Sequence, residues 1–84
     1  MRSFEECREV CKGLNTLFRD WYNCNIRYEL DYVAGIYTLY KTINDSERVV
    51  LSTRSIDELC TFCILLKDYT ENAKELLKAY MVNS

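Results

Sequence analysis

Four of the five cysteines are spaced so that they could act together. They form the pairs Cys7-x-x-x-Cys11 and Cys60-x-x-Cys63, and four thiolates would suit a structural zinc ion. Both pairs fall in the middle of predicted helices, however, whereas a low-pKa thiol usually lies in the first helical turn. We therefore interpret these cysteines as buried packing residues and expect all five to be reduced and metal-free, with no cofactor.

The residues needed for most enzyme mechanisms are missing. The chain has no histidine, which removes the usual general base and the commonest transition-metal ligand. It has no glycine-rich loop to hold a phosphate. The adjacent carboxylates Glu5 and Glu6, and again Asp57 and Glu58, lie at predicted helix starts, where capping explains them. The sequence therefore predicts a protein that is not an enzyme.

Tyrosine is the residue type best suited to binding here. Seven tyrosines are present, and tyrosine offers a large contact area with a polar tip. Tyr28 and Tyr32 share the apolar face of the first predicted strand, which favours a core position. Tyr37 and Tyr40 point to opposite faces of the second strand, so at least one leaves the face that packs on the helices. Scattered surface aromatics are the alternative interpretation.

The first element is a helix. Ser3 and Glu6 form a capping box, and apolar residues then recur at steps of three and four residues. This seam consists of Phe4, Cys7, Cys11, Leu14, Phe18 and Trp21. Gly13 lies inside the helix, and we expect another stretch of backbone to come close to it.

Three strands follow the first helix. Polar and apolar residues alternate from Cys24 to Tyr32, and Gly35 supplies a tight connection to a second strand, Ile36 to Ile43. A polar turn over 44–47 precedes a third strand, 48–53, in which Val49, Leu51 and Thr53 share one face. Short connections predict an antiparallel meander.

The last element is a long helix that begins with a second capping box, Ser55 and Glu58. Its seam keeps the same phase from Ile56 to about Val82, which favours one helix over two that bend near Asp68. The seam consists of Leu59, Phe62, Leu66, Tyr69, Ala73, Leu76 and Tyr80. Residues 59–66 are apolar around the whole circumference, so we expect Leu59, Phe62 and Leu66 to be nearly inaccessible, and a second chain to cover what the domain leaves open.

Together these elements predict a single α+β domain spanning residues 1–84, in the order α-β-β-β-α, with two helices on one face of the sheet. The net charge is −2 and the basic residues are scattered. The apolar stretches are too short for a membrane span. Free thiols without an export signal favour the cytoplasm, which would be a host cytoplasm if a phage encodes the chain.

The order α-β-β-β-α resembles that of double-stranded-RNA-binding domains. That family has a histidine in the loop between its first two strands and a lysine cluster at the start of its last helix. This chain has Val33-Ala34-Gly35 and the acidic Ser55-Ile56-Asp57-Glu58 at those places. Nucleic-acid binding is therefore an alternative that the residues disfavour.

The favoured interpretation is a small protein-binding module that inhibits a larger protein and forms a homodimer. Compact acidic chains of this size are similar to phage and mobile-element inhibitors such as anti-CRISPR proteins. A purely structural homodimer subunit is a further alternative. The candidate interface residues are Tyr37, Tyr40, Tyr69, Leu76, Leu77, Tyr80 and Met81.

Overall fold

The computed structural model describes residues 3–23 and 25–83, with side chains as far as residue 79. Its elements are, in chain order, helix α1 (Phe4–Asp20), strands β1 (Ile26–Val33), β2 (Ile36–Ile43) and β3 (Ser46–Thr53), and helix α2 (Ile56–Asn83). The strands form one antiparallel sheet in the order β1-β2-β3. The predicted α+β architecture is thereby confirmed. Cys24, the predicted first residue of β1, lies outside the described residues.

Both hairpins close through two-residue turns. Ala34 and Gly35 have φ values of 54° and 79°, and Asn44 and Asp45 have values of 48° and 68°. Two consecutive residues with positive φ are typical of the type I′ turn, whose twist matches that of the strands it joins. The second turn is shorter than the predicted 44–47, because Asn44 and Asp45 alone adopt this conformation and β3 begins at Ser46.

The core lies between the two helices and one face of the sheet. Leu39 of β2 is fully buried and pairs with Leu30 on one side and Leu51 on the other. From the helices, Leu14 and Leu59 meet this row. Among the residues whose side chains the structure describes, the buried apolar ones are Cys7, Cys11, Leu14, Tyr28, Leu39, Leu59, Cys60 and Cys63.

Strand β3 contains a bulge that the sequence pattern does not reveal. Leu39 pairs with Leu51, but the next residue of β2, Tyr40, pairs with Val49, so Val50 is an extra residue. A bulge of this kind interrupts the alternation of side chains. The prediction that Val49 and Leu51 share a face is therefore wrong, because Val49 lies opposite Tyr40 on the face that carries no helix. Val49 is 60% exposed there.

Helix α1 runs parallel to α2 and packs between it and β1. Contacts at the two ends of α1 show this direction. Cys7, near the start of α1, is bonded to Cys60, near the start of α2. Trp21, at the end of α1, lies farther along α2, with the Lys74 ammonium 5.5 Å from its ring centroid. A Cβ added at Gly13 would lie 2.9 Å from the Lys67 Cε. Gly13 therefore accommodates a lysine side chain, and the expected close approach of backbone is wrong.

Helix α2 is continuous over its 28 residues and passes through Asp68 without a break, as the favoured prediction has it. At 1.5 Å per residue it is about 42 Å long, whereas a strand of eight residues spans about 26 Å. The helix therefore extends beyond the sheet. The Ser55 hydroxyl caps its start by accepting a hydrogen bond from the Glu58 N–H at 3.1 Å. Within the described residues no helix is both long and apolar enough to cross a membrane.

Candidate functional site

A row of exposed apolar side chains follows one side of α2. Leu65, Tyr69 and Leu76 are 63%, 74% and 73% exposed. Together with Phe62 and Asn72 they recur at steps of three and four residues, which places them on one side of a helix. We refer to the five residues Phe62, Leu65, Tyr69, Asn72 and Leu76 as the α2 stripe.

The single chain does not bury residues 59–66 on every side, and the surface that it leaves open, for which a second chain is expected, lies along the α2 stripe. Leu59 is fully buried, as predicted, but Leu65 is mostly exposed, and Phe62 and Leu66 are only half-buried. The physical reason is that α2 packs mainly against α1 and contacts the sheet much less. One flank of the helix is thus left without a neighbour in this chain.

Two shallow apolar depressions border the α2 stripe, and both are rimmed by acidic residues. The larger, of about 520 Å³, is lined in part by Asp68, and the other, of about 390 Å³, is lined in part by Asp57 and Glu58. The α2 lysines on either side of Asp68 point elsewhere: Lys67 lies against Gly13 of α1 and Lys74 over Trp21. The stripe is therefore apolar with a negative border.

The predicted interface tyrosines lie on different surfaces. Tyr37 is half-buried on the helix face of the sheet, where its ring centroid is 4.5 Å from that of Tyr32 and 5.8 Å from that of Phe4. Tyr40 lies on the opposite face, across from Glu29 and Val49. The expectation that one of the two tyrosines leaves the helix-packing face is thereby met. An interface role for either remains a prediction.

The predicted interface residues of α2 are only partly brought together. Tyr69 and Leu76 lie on the α2 stripe, and Leu77 is 46% exposed beside it. The side chains of Tyr80 and Met81 lie outside the described residues. Leu65 was not among the predicted interface residues, and the pattern could have indicated it. Leu65 precedes Asn72 by seven residues and Leu76 by eleven, and these spacings place the three side chains on one side of a helix.

The four core cysteines meet in the interface between α1 and α2, and we call Cys7, Cys11, Cys60 and Cys63 the cysteine cluster. Cys7 and Cys60 form a disulfide, with Cα atoms 5.2 Å apart. The expectation that every cysteine is reduced is therefore wrong for this pair. The reason is geometric, because parallel helices place these two residues opposite each other at a separation that a disulfide spans.

The second pair of the cysteine cluster consists of thiols. The Cys11 and Cys63 sulfur atoms are 3.9 Å apart and both residues are buried. The contact with Cys63, together with burial, raises the pKa of Cys11 far above its ordinary value. The same contact lowers the pKa of Cys63, because the Cys11 thiol stabilises its thiolate. With the other pair bonded, no group of three or more metal-ligating side chains is available among the described residues.

Cys11 lies at the base of a cleft between α1 and β1. The cleft has a volume of about 280 Å³ and is lined by Arg8, Lys12 and Glu29 beside Tyr28. Arg8 and Lys12 are paired with Glu5 and Glu9. Burial, and secondarily the neighbouring Cys11, raises the pKa of Tyr28. The cleft is thus a route from the surface toward Cys11 of the cysteine cluster.

The disulfide changes the basis of the predicted location. Disulfides persist mainly in oxidising compartments, so Cys7 and Cys60 no longer support a reducing one. The cytoplasmic prediction then depends on Cys11 and Cys63 alone among the described cysteines. It remains a prediction.

Comparison with known proteins identifies no relative, since no family model, curated protein or solved structure matches the chain. We therefore argue function from the α2 stripe and the cysteine cluster.

Proposed function

We propose that this protein is a non-enzymatic protein-binding module whose binding surface is the α2 stripe. The observation that carries the proposal is the exposure of Leu65, Tyr69 and Leu76 in one row. Burying apolar surface contributes roughly 25 cal/mol per Å², and contiguous exposed apolar patches mark interaction sites. A helix with a free apolar side is suited to a groove on a partner.

The opposite side of α2 is held in place, which favours tight binding. The disulfide fixes its second turn to α1. Farther along, the Tyr22 hydroxyl donates a hydrogen bond to the Thr70 carbonyl oxygen at 3.0 Å. A surface that is rigid before binding loses less conformational entropy when it binds. The part of the α2 stripe between these two attachments, from Phe62 to Tyr69, is therefore rigid before a partner binds.

The partner is a larger protein with an apolar groove and a basic rim. The carboxylates of Glu58 and Asp68 at the border favour such a rim through charge complementarity. In its most concrete form, the module inhibits an enzyme of its host, as phage and mobile-element proteins such as anti-CRISPR proteins do. Small size and a net charge of −2 support this form of the proposal.

Affinity capture from the organism that encodes the chain tests the proposal. The bait is the full chain, compared with Leu65→Lys on the stripe and Val49→Lys on the open face of the sheet. These two side chains have similar exposure, 63% and 60%, so they are matched in burial. We expect the parent and Val49→Lys to recover the same protein and Leu65→Lys to bind it at least about tenfold more weakly, or about 1.4 kcal/mol.

Two results would contradict the proposal. One is equal recovery of the partner by all three baits, which would place binding elsewhere. The other is no protein recovered by the parent above a blank resin. Circular dichroism of each variant confirms that the fold is intact, since both substitutions are at exposed positions.

Self-association is the second candidate function. The stripe repeats at steps of three and four residues, as a helix that pairs with a second helix does, and α2 extends beyond the sheet. Two-fold pairing of identical chains is the commonest closed arrangement. For nucleic-acid binding, the part of the chain that the structure describes offers no comparable observation.

A further inference from the structure

We infer that Cys11 and Cys63 are a site of oxidative modification, at which a small-molecule disulfide converts the two thiols into a second disulfide beside Cys7–Cys60. The sulfur atoms are already 3.9 Å apart. Cys11 follows Cys7 by four residues on α1, and Cys63 follows Cys60 by three on α2. The thiol pair therefore lies one helical turn beyond the disulfide in the same interface.

The backbone is placed for this bond. A disulfide requires the sulfurs to close to about 2.05 Å, with Cα atoms usually between about 4.4 and 6.8 Å apart. One turn away, the Cα atoms of Cys7 and Cys60 are 5.2 Å apart. The parallel helices hold a similar separation over one turn, so rotation of the two side chains brings the sulfurs together.

The cleft between α1 and β1 provides the entry. Cys11 lines it together with Arg8, Lys12 and Glu29, and the two cations are paired with Glu5 and Glu9. The cleft therefore admits a small disulfide by its shape and not by an excess of charge. Burial leaves Cys11 only 4% exposed and the thiolate is the attacking species, so we expect the reaction to be slow in the native state.

The reaction balances as a two-electron oxidation of the protein. One of the two thiols gives its proton to solvent, and its thiolate attacks one sulfur of glutathione disulfide. The S–S bond of the oxidant breaks, and the first glutathione thiolate leaves. The other thiol then loses its proton, and its thiolate attacks the protein sulfur of the mixed disulfide and expels the second glutathione. Two protein thiols become one disulfide, and the oxidant becomes two molecules of glutathione.

Tryptic cleavage makes the second bond directly visible. Trypsin cuts after Arg8 and Lys12, which separates Cys7 in peptide 3–8 from Cys11 in peptide 9–12, whereas Cys60 and Cys63 stay together in peptide 55–67. The Cys7–Cys60 bond alone joins peptides 3–8 and 55–67. The second bond adds peptide 9–12, so an assembly of three peptides identifies it.

The experiment oxidises the folded full chain with glutathione disulfide, alkylates the remaining thiols and digests without reductant. The background substitution Cys24→Ser removes the fifth cysteine. Mass spectrometry is expected to show the three-peptide assembly growing with time, with the loss of four hydrogens per chain relative to the fully reduced protein. The control Cys63→Ser is expected to leave peptide 9–12 outside the assembly.

Three results would overturn the inference. Peptide 9–12 could stay alkylated after prolonged oxidation, or keep glutathione attached as a stable mixed disulfide. It could also join a peptide of another chain, which a nonreducing gel would show as a covalent dimer. Because the readout is the linkage of peptides, it does not depend on the proposed binding function.

Discussion

The disulfide between Cys7 and Cys60 joins the start of α1 to the second turn of α2, two segments that are distant in the chain. The two residues are 53 positions apart, and both side chains are buried in the core. In the chain-entropy account, closing a loop of this length stabilises the folded state by about 4 kcal/mol, because the unfolded chain loses freedom. That is a large fraction of the stability of a small domain.

We therefore expect the double variant Cys7→Ala, Cys60→Ala to lose up to about 4 kcal/mol of unfolding free energy. Urea unfolding measures the loss, with Cys11 and Cys63 kept as thiols. Alanine is chosen because a serine hydroxyl would be buried at these positions. Reduction of the parent is the matched control, since it breaks the bond while keeping both sulfurs. A parent whose urea midpoint does not move on reduction would disprove the stabilising role.

Burial of the cysteines could be predicted from the sequence, but their pairing could not. Cys7 and Cys11 lie on the apolar seam of α1, so their side chains must face the core. Which cysteine of α2 meets each of them depends on the parallel direction and the register of the two helices. Contacts across the whole sheet fix that register, and no local pattern records it.

Asn15 is a second residue whose role depends on tertiary structure. Its side-chain amide accepts a hydrogen bond from the Tyr28 N–H at 2.7 Å and donates one to the Tyr28 carbonyl oxygen at 2.9 Å. These groups lie on the edge of β1 that does not pair with β2, where an unpaired strand invites association. A polar residue on a helix gives no sign in sequence that it completes the edge of a sheet.

At the scale of elements, α2 combines a buried side and an exposed side within a single apolar segment. Its start and its continuity could be predicted, because the capping residue Ser55 and the constant seam are local features. Its orientation could not. A segment that is apolar around its circumference has no preferred side, so residues 59–66 taken alone do not tell that Leu59 is buried and Leu65 exposed. Only their spacing from Tyr69 and Leu76 farther along the helix indicates it.

The pair Leu59 and Leu65 therefore allows a controlled test of which side of α2 faces the core. Leu59→Ala removes a fully buried side chain and is expected to cost about 2–5 kcal/mol. Leu65→Ala changes a side chain that is 63% exposed, and we expect its effect to stay within about 0.5 kcal/mol. Urea unfolding of both variants at one temperature gives the comparison. Similar losses for the two variants would mean that the helix is rotated relative to the orientation described above.

In strand β3, too, the sequence does not tell which side chains face the helices. Alternation is the signal that assigns side chains to faces of a sheet, and the bulge at Val50 reverses that assignment for the residues before it. Val49 therefore joins Tyr40 on the open face. A bulge is favoured by pairing and twist across two strands, which the sequence of one strand does not contain.

At the scale of the whole molecule, the chain is elongated and one of its long sides is apolar with an acidic border. The principal extents are 50, 31 and 16 Å, and α2 accounts for most of the longest. The same stripe is proposed to bind a larger protein or a second copy of itself. A second copy would bring the same negative charge to the interface, whereas the larger partner is proposed to bring positive charge. Added salt should therefore strengthen the first association and weaken the second.

Two identical chains that pair through the α2 stripe bring carboxylates such as Asp68 of both copies toward one interface, so repulsion opposes their association. Screening weakens that repulsion as the Debye length falls from about 30 Å at about 0.01 M salt to about 10 Å at about 0.1 M. We therefore expect the dissociation constant of a homodimer to fall a few-fold over this range. A partner with a basic rim would be held less tightly at the higher salt concentration, because the same screening weakens attraction.

Light scattering over a range of protein concentrations at both salt concentrations measures self-association directly. Leu65→Glu is expected to abolish any dimer, because it buries a charge in the apolar contact. Asp68→Asn is expected to strengthen the dimer at low salt and to reduce its salt dependence, since it removes one repelling charge from each copy. A dimer that weakens as salt is added, or that survives Leu65→Glu, would show that copies pair through another surface. If the chain stays monomeric at every concentration, the α2 stripe does not bind a second copy, and a larger protein is the occupant that the proposal retains.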